Sequence, residues 1–391
     1  MFKNIAKILS SHIIVKGLGL ANVAIILTIL SVKEFGEYSY LLLLLHLIAV
    51  IIDPFLSSYL VDFKSFNYKK YNFGIIIVSV ILSPFAYAFF KQLNVELTVQ
   101  LFFLFSATYI ISAGLKSFLN VKERYLEYGL VDVIRQTSIF LSTLFFFYIY
   151  EQKEYIQLLE LNYLISFISM SLLAVLFIKA ADVYFDYSFV ALKKLIVRSK
   201  YLILYIALVP FIAFIDSYFV ERYLTEQDLG LYSFSLKIYN ISLMLVVPIF
   251  TVLNIKQIEI AQKKEYSLFF HKNVKKTLLF STTVFMLSIV LNWLITHYVF
   301  TEYKASFLDT TILLCAAFFS YISLPFSFLL AYRKYKWLFI LAIVALFINI
   351  GVNYFFIEIY GTRIAALSTL LAQTIISLGA AILSYYILGK E

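Results

Sequence analysis

The chain has 391 residues, 62% apolar and 14% charged, against roughly 25% charged residues in ordinary globular domains. Mean hydropathy is +0.91. A soluble protein of two or three domains is excluded, and the single Cys315, set in an apolar run, excludes a disulfide framework and a cysteine-rich zinc site. The formal charge of +9 comes from 32 Lys+Arg and 23 Asp+Glu. The basic residues sit in short loops between apolar runs, so the anionic cytoplasmic leaflet accounts for them and nucleic acid does not.

Apolar runs of spanning length fall at 8–31, 37–61, 73–90, 98–119, 130–150, 158–179, 201–222, 228–253, 276–300, 309–331, 335–357 and 362–387. This pattern predicts an all-α polytopic membrane protein of about twelve transmembrane helices. Lys3 and Lys7 precede the first run as in a signal peptide, but Lys16 interrupts it and no small-x-small cleavage site follows. It reads as a retained first span.

An even number of spans places both termini on one side. Of the 32 Lys+Arg, 22 fall in the termini and even-numbered loops. Six fall in the odd-numbered loops: Lys33, Lys91, Lys153, Arg222, Lys304 and Arg363. The excess of positive charge marks the cytoplasmic side, so both termini of a multi-pass membrane protein are expected there. Residues 185–200 and 256–276 mix apolar and basic side chains and read as amphipathic helices on the inner leaflet.

The two halves repeat. Leu30-Ser31-Val32-Lys33-Glu34-Phe35-Gly36-Glu37-Tyr38-Ser39-Tyr40 recurs, 194 residues later, as Leu224-Thr225-Glu226-Gln227-Asp228-Leu229-Gly230-Leu231-Tyr232-Ser233-Phe234. The same offset carries Pro54 onto Pro248, in a chain with only five prolines. Two parallel six-span lobes follow: residues 1–184, an amphipathic cytoplasmic linker at 185–200, and residues 201–391. The glycine suits a tight external turn with positive φ, and the acid before it suits a helix cap. Kinks are expected at Pro54, Pro84, Pro210, Pro248 and Pro325, which all lie inside spans.

With its twelve spans, the repeated turn after spans 1 and 7, and the junction from Asn349-Ile350-Gly351-Val352-Asn353 to Tyr360-Gly361-Thr362-Arg363-Ile364-Ala365-Ala366, the chain resembles the MOP exporter superfamily. Within it, the likeness is to Wzx-type O-antigen/polysaccharide repeat-unit flippases. The resemblance implies a MATE-like pair of lobes around a central cavity, alternating access, and translocation of an undecaprenyl-diphosphate-linked oligosaccharide to the periplasmic leaflet. A coupling ion (Na+ or H+), a polysaccharide polymerase and a chain-length regulator are the implied partners. No cofactor is expected.

A charge inside a span costs ~2.5–3.5 kcal/mol on insertion scales, so each one needs a reason. Lys237 sits in span 8 with Ser233 at i−4 and Asn240 at i+3, one polar stripe suited to a diphosphate or an acidic sugar. Its alternative is a structural pair with an acid. Lys16 in span 1 reads as a cavity residue or a snorkelling side chain. Arg135, with Asp132 at i−3, offers a fork for phosphate oxygens or a headgroup contact. Lys116 reads as a snorkelling anchor. Asp53, beside Pro54, and His46, seven residues earlier, are candidates for ion coupling, as is Asp216 in span 7. Each acid reads equally as a partner for a cavity lysine. Asn349 and Asn353 suit interhelical hydrogen bonds.

GxxxxGK[ST], HExxH and GxSxG motifs are all absent, which excludes ATP-driven transport by this chain and leaves metal hydrolysis unsupported. A transporter, not an enzyme, is expected. Rival readings are an O-antigen polymerase, a membrane O-acyltransferase and a small-molecule cation antiporter of the same fold. The lack of large external loops argues against the first. The two-lobe repeat argues against both enzymes. A basic cavity argues against the antiporter.

Overall fold

Lipid offers no partner to a backbone N–H or C=O, so long apolar runs fold as helices that satisfy themselves internally. The computed structural model describes residues 2–61, 84, 87–88, 91, 98–121, 124–149, 154–177, 189–263 and 266–388. Most of the expected third span lies outside them, as do the side chains of residues 48–61 and 244–256, including those of Asp53, Pro54 and Pro248. Among the described residues, eight helices are long and apolar enough to cross a membrane.

The chain divides into two compact units, Met1–Ile203 and Leu204–Glu391. The first holds α1 (Phe2–Ile29), α2 (Val32–Val61), α3 (Val99–Val121), α4 (Tyr125–Ile149), α5 (Tyr155–Phe177) and the start of α6 (Phe189–Tyr223). The second holds the rest of α6, then α7 (Glu226–Lys263), α8 (Tyr266–Leu294), α9 (Phe307–Ser323), α10 (Tyr335–Tyr360) and α11 (Thr362–Leu388). In the first unit α4 packs on both α1 and α5; in the second α11 packs on both α9 and α10.

The repeated sequence makes the same local structure twice. Before α2, the Ser31 hydroxyl and backbone N–H both donate to Glu34 Oε2 at 2.8 Å, and the Glu34 N–H returns a bond to Ser31 Oγ at 3.3 Å. Before α7, the Thr225 hydroxyl and N–H donate to Asp228 Oδ2 at 2.7 and 3.1 Å, and the Asp228 N–H donates to Thr225 Oγ1 at 3.2 Å. Both are capping boxes. Thr225→Ala is expected to lower unfolding stability by about 1 kcal/mol, read from thermal unfolding in detergent.

The glycines of the motif do not serve as expected. Gly36 and Gly230 lie inside α2 and α7, buried, and positive φ among the described glycines occurs only at Gly361. The capping box alone turns the chain, so no left-handed residue is needed there. Gly361 takes that role between α10 and α11, at φ 66° and ψ −151°, with its N–H bonded to the Ile357 carbonyl at 2.8 Å. A side chain is strained in that region. Gly361→Ala is therefore expected to destabilise the protein by about 1–3 kcal/mol in the same unfolding measurement.

Two further expectations need correction. Residues 256–276 do not form a separate helix on the leaflet: they are the end of α7 and the start of α8. Ile260, Tyr266 and Phe269 are buried against Phe326 and Phe328, so their apolar faces are covered by protein. The tenth span does not run to 331. It ends at Ser323 and passes through a short 3-10 turn, Leu324–Phe326, which carries Pro325. The backbone freed there is satisfied by side chains. Gln257 Nε2 donates to the Leu324 and Pro325 carbonyls at 2.9 and 3.0 Å, the Tyr266 hydroxyl donates to the Phe326 carbonyl, and the Phe328 N–H donates to Ser384 Oγ. Non-helical backbone at membrane depth is tolerated when protein groups complete it. Pro210, by contrast, lies within a continuous α6.

Candidate functional site

In the second unit, small residues bring three helices together. Ile212 of α6, Ala345 of α10, and Ala372 and Ile376 of α11 form one buried cluster. One turn further along each helix the contact turns polar. Asp216 of α6 is fully buried (0% exposed), four residues after Ile212. Its Oδ1 accepts from Asn349 Nδ2 (2.8 Å), Asn353 Nδ2 (2.7 Å) and Ser368 Oγ (2.6 Å), and its Oδ2 accepts from the Thr369 hydroxyl. Asn349 and Asn353 also donate to Ser368 Oγ. The motif residue Tyr232 stands at the rim, fully buried, with its hydroxyl donating to the Ala365 carbonyl at 3.4 Å.

The asparagines were expected to make interhelical hydrogen bonds, and they make them to this acid. Among the described residues no cation pairs with this carboxylate, and a cage of donors stabilises it. The cage is incomplete in one respect. Asn349 Oδ1 and Asn353 Oδ1 are buried and have no hydrogen-bond partner. Two unsatisfied carbonyl oxygens beside a buried carboxylate and two hydroxyls form an all-oxygen set, suited to a hard monovalent cation or a proton. A half-turn of either amide would direct its oxygen toward the carboxylate.

The first unit holds the opposite chemistry. Lys116 Nζ of α3 lies 2.6 Å from Asp132 Oδ2 of α4, and Arg135 Nη2 lies 3.5 Å from Asp132 Oδ1. The Lys116 ammonium also rests on the Tyr128 ring, 4.9 Å from its centroid. Lys16 of α1 lies within electrostatic reach of Asp132, Arg135 and Lys116, where Gly19 of α1 approaches Gln136 of α4. Asp132 is 8% exposed. Arg135 Nε is buried without a hydrogen-bond partner. Two cations thus hold one carboxylate inside apolar helices, with a third, Lys16, within electrostatic reach. Lys116 is not the isolated anchor read from the sequence: its acid lies 16 residues away on the next helix.

The remaining candidates stand apart. Along α7, Ser233 is buried, Lys237 half-buried and Asn240 exposed, so exposure rises along the stripe. Lys237 makes no ion pair or hydrogen bond among the described residues. His46 Nδ1 meets the Leu42 carbonyl of its own helix at 2.7 Å, and its ring packs edge-on against Phe105. The side chain of Asp53 lies outside the described residues. Sequence reasoning passed over Ser368 and Thr369, because hydroxyls are common in membrane helices. The 194-residue offset did hold a signal at the acid itself: it carries Asp216 onto Asn22, buried with an unpartnered Oδ1. The first unit has an amide where the second has an acid.

The fold is similar to that of solved MATE-type transporters. A multidrug resistance MATE family transporter of the MOP superfamily, in its inward-facing conformation, matches at a TM-score of 0.73 and 12% identity, over 99% of this chain and 98% of that one. The outward-facing conformation of such a transporter matches at 0.68 and 12%, over 99% and 96%. A MOP superfamily transporter from Pyrococcus furiosus, described as having a binding pocket of reverse polarity that suggests a different function, matches at 0.61 and 13%, over 99% and 96%. No family model and no curated protein sequence matches the chain.

Proposed function

We propose that this protein is a flippase of the bacterial inner membrane. It carries an undecaprenyl-diphosphate-linked oligosaccharide, such as an O-antigen or capsule repeat unit, from the cytoplasmic to the periplasmic leaflet by alternating access. The observation that carries the reading is the pair of cations Lys116 and Arg135 on Asp132, with Lys16 within electrostatic reach of all three. Cations gathered inside apolar helices, with one guanidinium nitrogen unsatisfied, suit an anionic headgroup. They oppose the cationic cargo of an antiporter. Lys237, on the second unit, is a further headgroup ligand in this reading. The polyprenyl chain stays in lipid, and the product passes to a polymerase and its chain-length regulator.

The Asp216 cage supplies the coupling. A proton entering it neutralises the buried carboxylate, and a cation does so while satisfying whichever asparagine oxygen turns over to face it. One elementary charge moved through 100 mV supplies ~2.3 kcal/mol, enough to bias such a cycle. The test is reconstitution into liposomes with an undecaprenyl-diphosphate-linked oligosaccharide, following leaflet exposure with a membrane-impermeant lectin. Transfer driven by a Na+ or pH gradient is expected, and Lys116→Ala and Arg135→Ala should each reduce it about tenfold or more. Absence of transfer by the wild-type protein under either gradient refutes the reading.

A further inference from the structure

Asp132 sits where an anionic substrate would. Among the described residues it is the acid that engages Lys116 and Arg135 directly, at 2.6 Å and 3.5 Å. An incoming anion must therefore compete with a carboxylate that is covalently tethered, always present and already in contact. We propose that Asp132 is an internal competitor that releases the headgroup: it yields Lys116 and Arg135 to the arriving anion and reclaims them as the anion leaves. This rests on the flippase reading and adds the residue that sets how tightly the substrate is held.

The charges and geometry support the assignment. Without Asp132, Lys116 and Arg135 would repel each other between low-dielectric helices, with Lys16 adding to the repulsion from within electrostatic reach. With it the cluster keeps a net charge of +2, which a diphosphate diester, ionised once on each phosphate, neutralises. The pair geometry leaves room for exchange. The Arg135 contact is long, and Arg135 Nε has no partner while Asp132 holds the other end of the fork. The Arg135 side chain is 31% exposed, so a phosphate oxygen can reach the guanidinium from its open side before Asp132 lets go. Lys116 keeps the Tyr128 ring beneath it throughout, so its ammonium is not left bare between partners. A transporter must bind and also let go. A carboxylate that rebinds the same cations lowers the affinity and speeds dissociation together.

The test uses the full-length protein in detergent with farnesyl diphosphate as the soluble probe. Asp132→Asn is expected to bind it about tenfold tighter or more, with dissociation slowed to match, while lectin-detected transfer in liposomes falls. Asp132→Glu keeps the charge and should stay near wild type in both. A second measurement uses the wild-type protein alone, in case Asp132→Asn is not recovered folded. A hydrophobic carbodiimide adds to protonated carboxyl groups, the form a buried carboxylate takes once its cations leave it, so farnesyl diphosphate should increase labelling of Asp132, mapped by peptide mass spectrometry. Unchanged or weaker binding by Asp132→Asn, or labelling that does not rise with the diphosphate, overturns the proposal. The two readings fail separately. If Lys116→Ala and Arg135→Ala lose the probe while Asp132→Asn binds as wild type, the competitor role is wrong and the basic site stands. If the probe binds all variants alike, the basic site is wrong as well.

Discussion

Asp216→Asn is expected to remove the response of the protein to its coupling cation. In the native cage the carboxylate accepts four side-chain donors, and the two asparagine oxygens have none. A bound cation stabilises the state that binds it by ~2.7 kcal/mol at a hundred times its dissociation constant. The wild-type melting temperature should therefore rise with Na+ if Na+ is the ion, and stay flat with K+ at equal ionic strength. Asp216→Asn keeps the shape and part of the hydrogen bonding but not the charge, so its melting curve should ignore both ions, and gradient-driven transfer should stop. Asp216→Ala is a different experiment. It leaves Asn349, Asn353, Ser368 and Thr369 facing a void, and breaking a buried charged network costs about 3–5 kcal/mol. Its loss of transport would not separate coupling from collapse. A cation-dependent rise in melting temperature that persists in Asp216→Asn would sink the assignment of the cage as the coupling site. If instead the wild-type response tracks pH and no metal ion, the proton is the coupled species.

The span pattern and the acid's part in the helix caps were legible because each depends on chemistry local in sequence. Hydropathy sets spans and an acid in the first turn marks a cap, whereas Ser31 and Thr225, which complete the two boxes, were passed over. The same locality misled at Gly36 and Gly230, where a turn motif suggested positive φ although the cap had already turned the chain. Local amphipathicity also suggested a surface helix at 256–276, where tertiary packing against Phe326 and Phe328 buries Ile260 and Phe269 and leaves Leu268 exposed. The site residues were half legible. Asp216, Asn349 and Asn353 stand out because acids and amides are rare in lipid, but which helix each one meets is a fact of packing. Lys116 shows the limit most clearly. Near a helix end it has the sequence of a snorkelling anchor, and only the crossing of α3 and α4 brings it onto Asp132.

Lys237→Met is expected to separate stability from function, with the two moving in opposite directions. Lys237 is half-buried in α7 and has no ion pair or hydrogen bond among the described residues, so its charge is desolvated without compensation. A lysine at the centre of an apolar helix costs ~2.5–3.5 kcal/mol on insertion scales, and half-burial retains part of that cost. Met fills nearly the same volume with no charge. The variant should therefore melt at a higher temperature than the wild type, by a few degrees, corresponding to roughly 1 kcal/mol. If Lys237 binds the headgroup, transfer of the lipid-linked oligosaccharide should nonetheless fall to background, while Lys237→Arg retains part of it because the charge remains and only its geometry changes. A structural lysine gives the reverse pattern: Lys237→Met would melt lower, and the protein that stays folded would transport normally. The sign of the melting shift, read beside export in a flippase-null strain with expression checked by immunoblot, decides between the two. Normal export by the more stable variant would remove Lys237 from the substrate site and leave the first-unit cluster as the headgroup ligand.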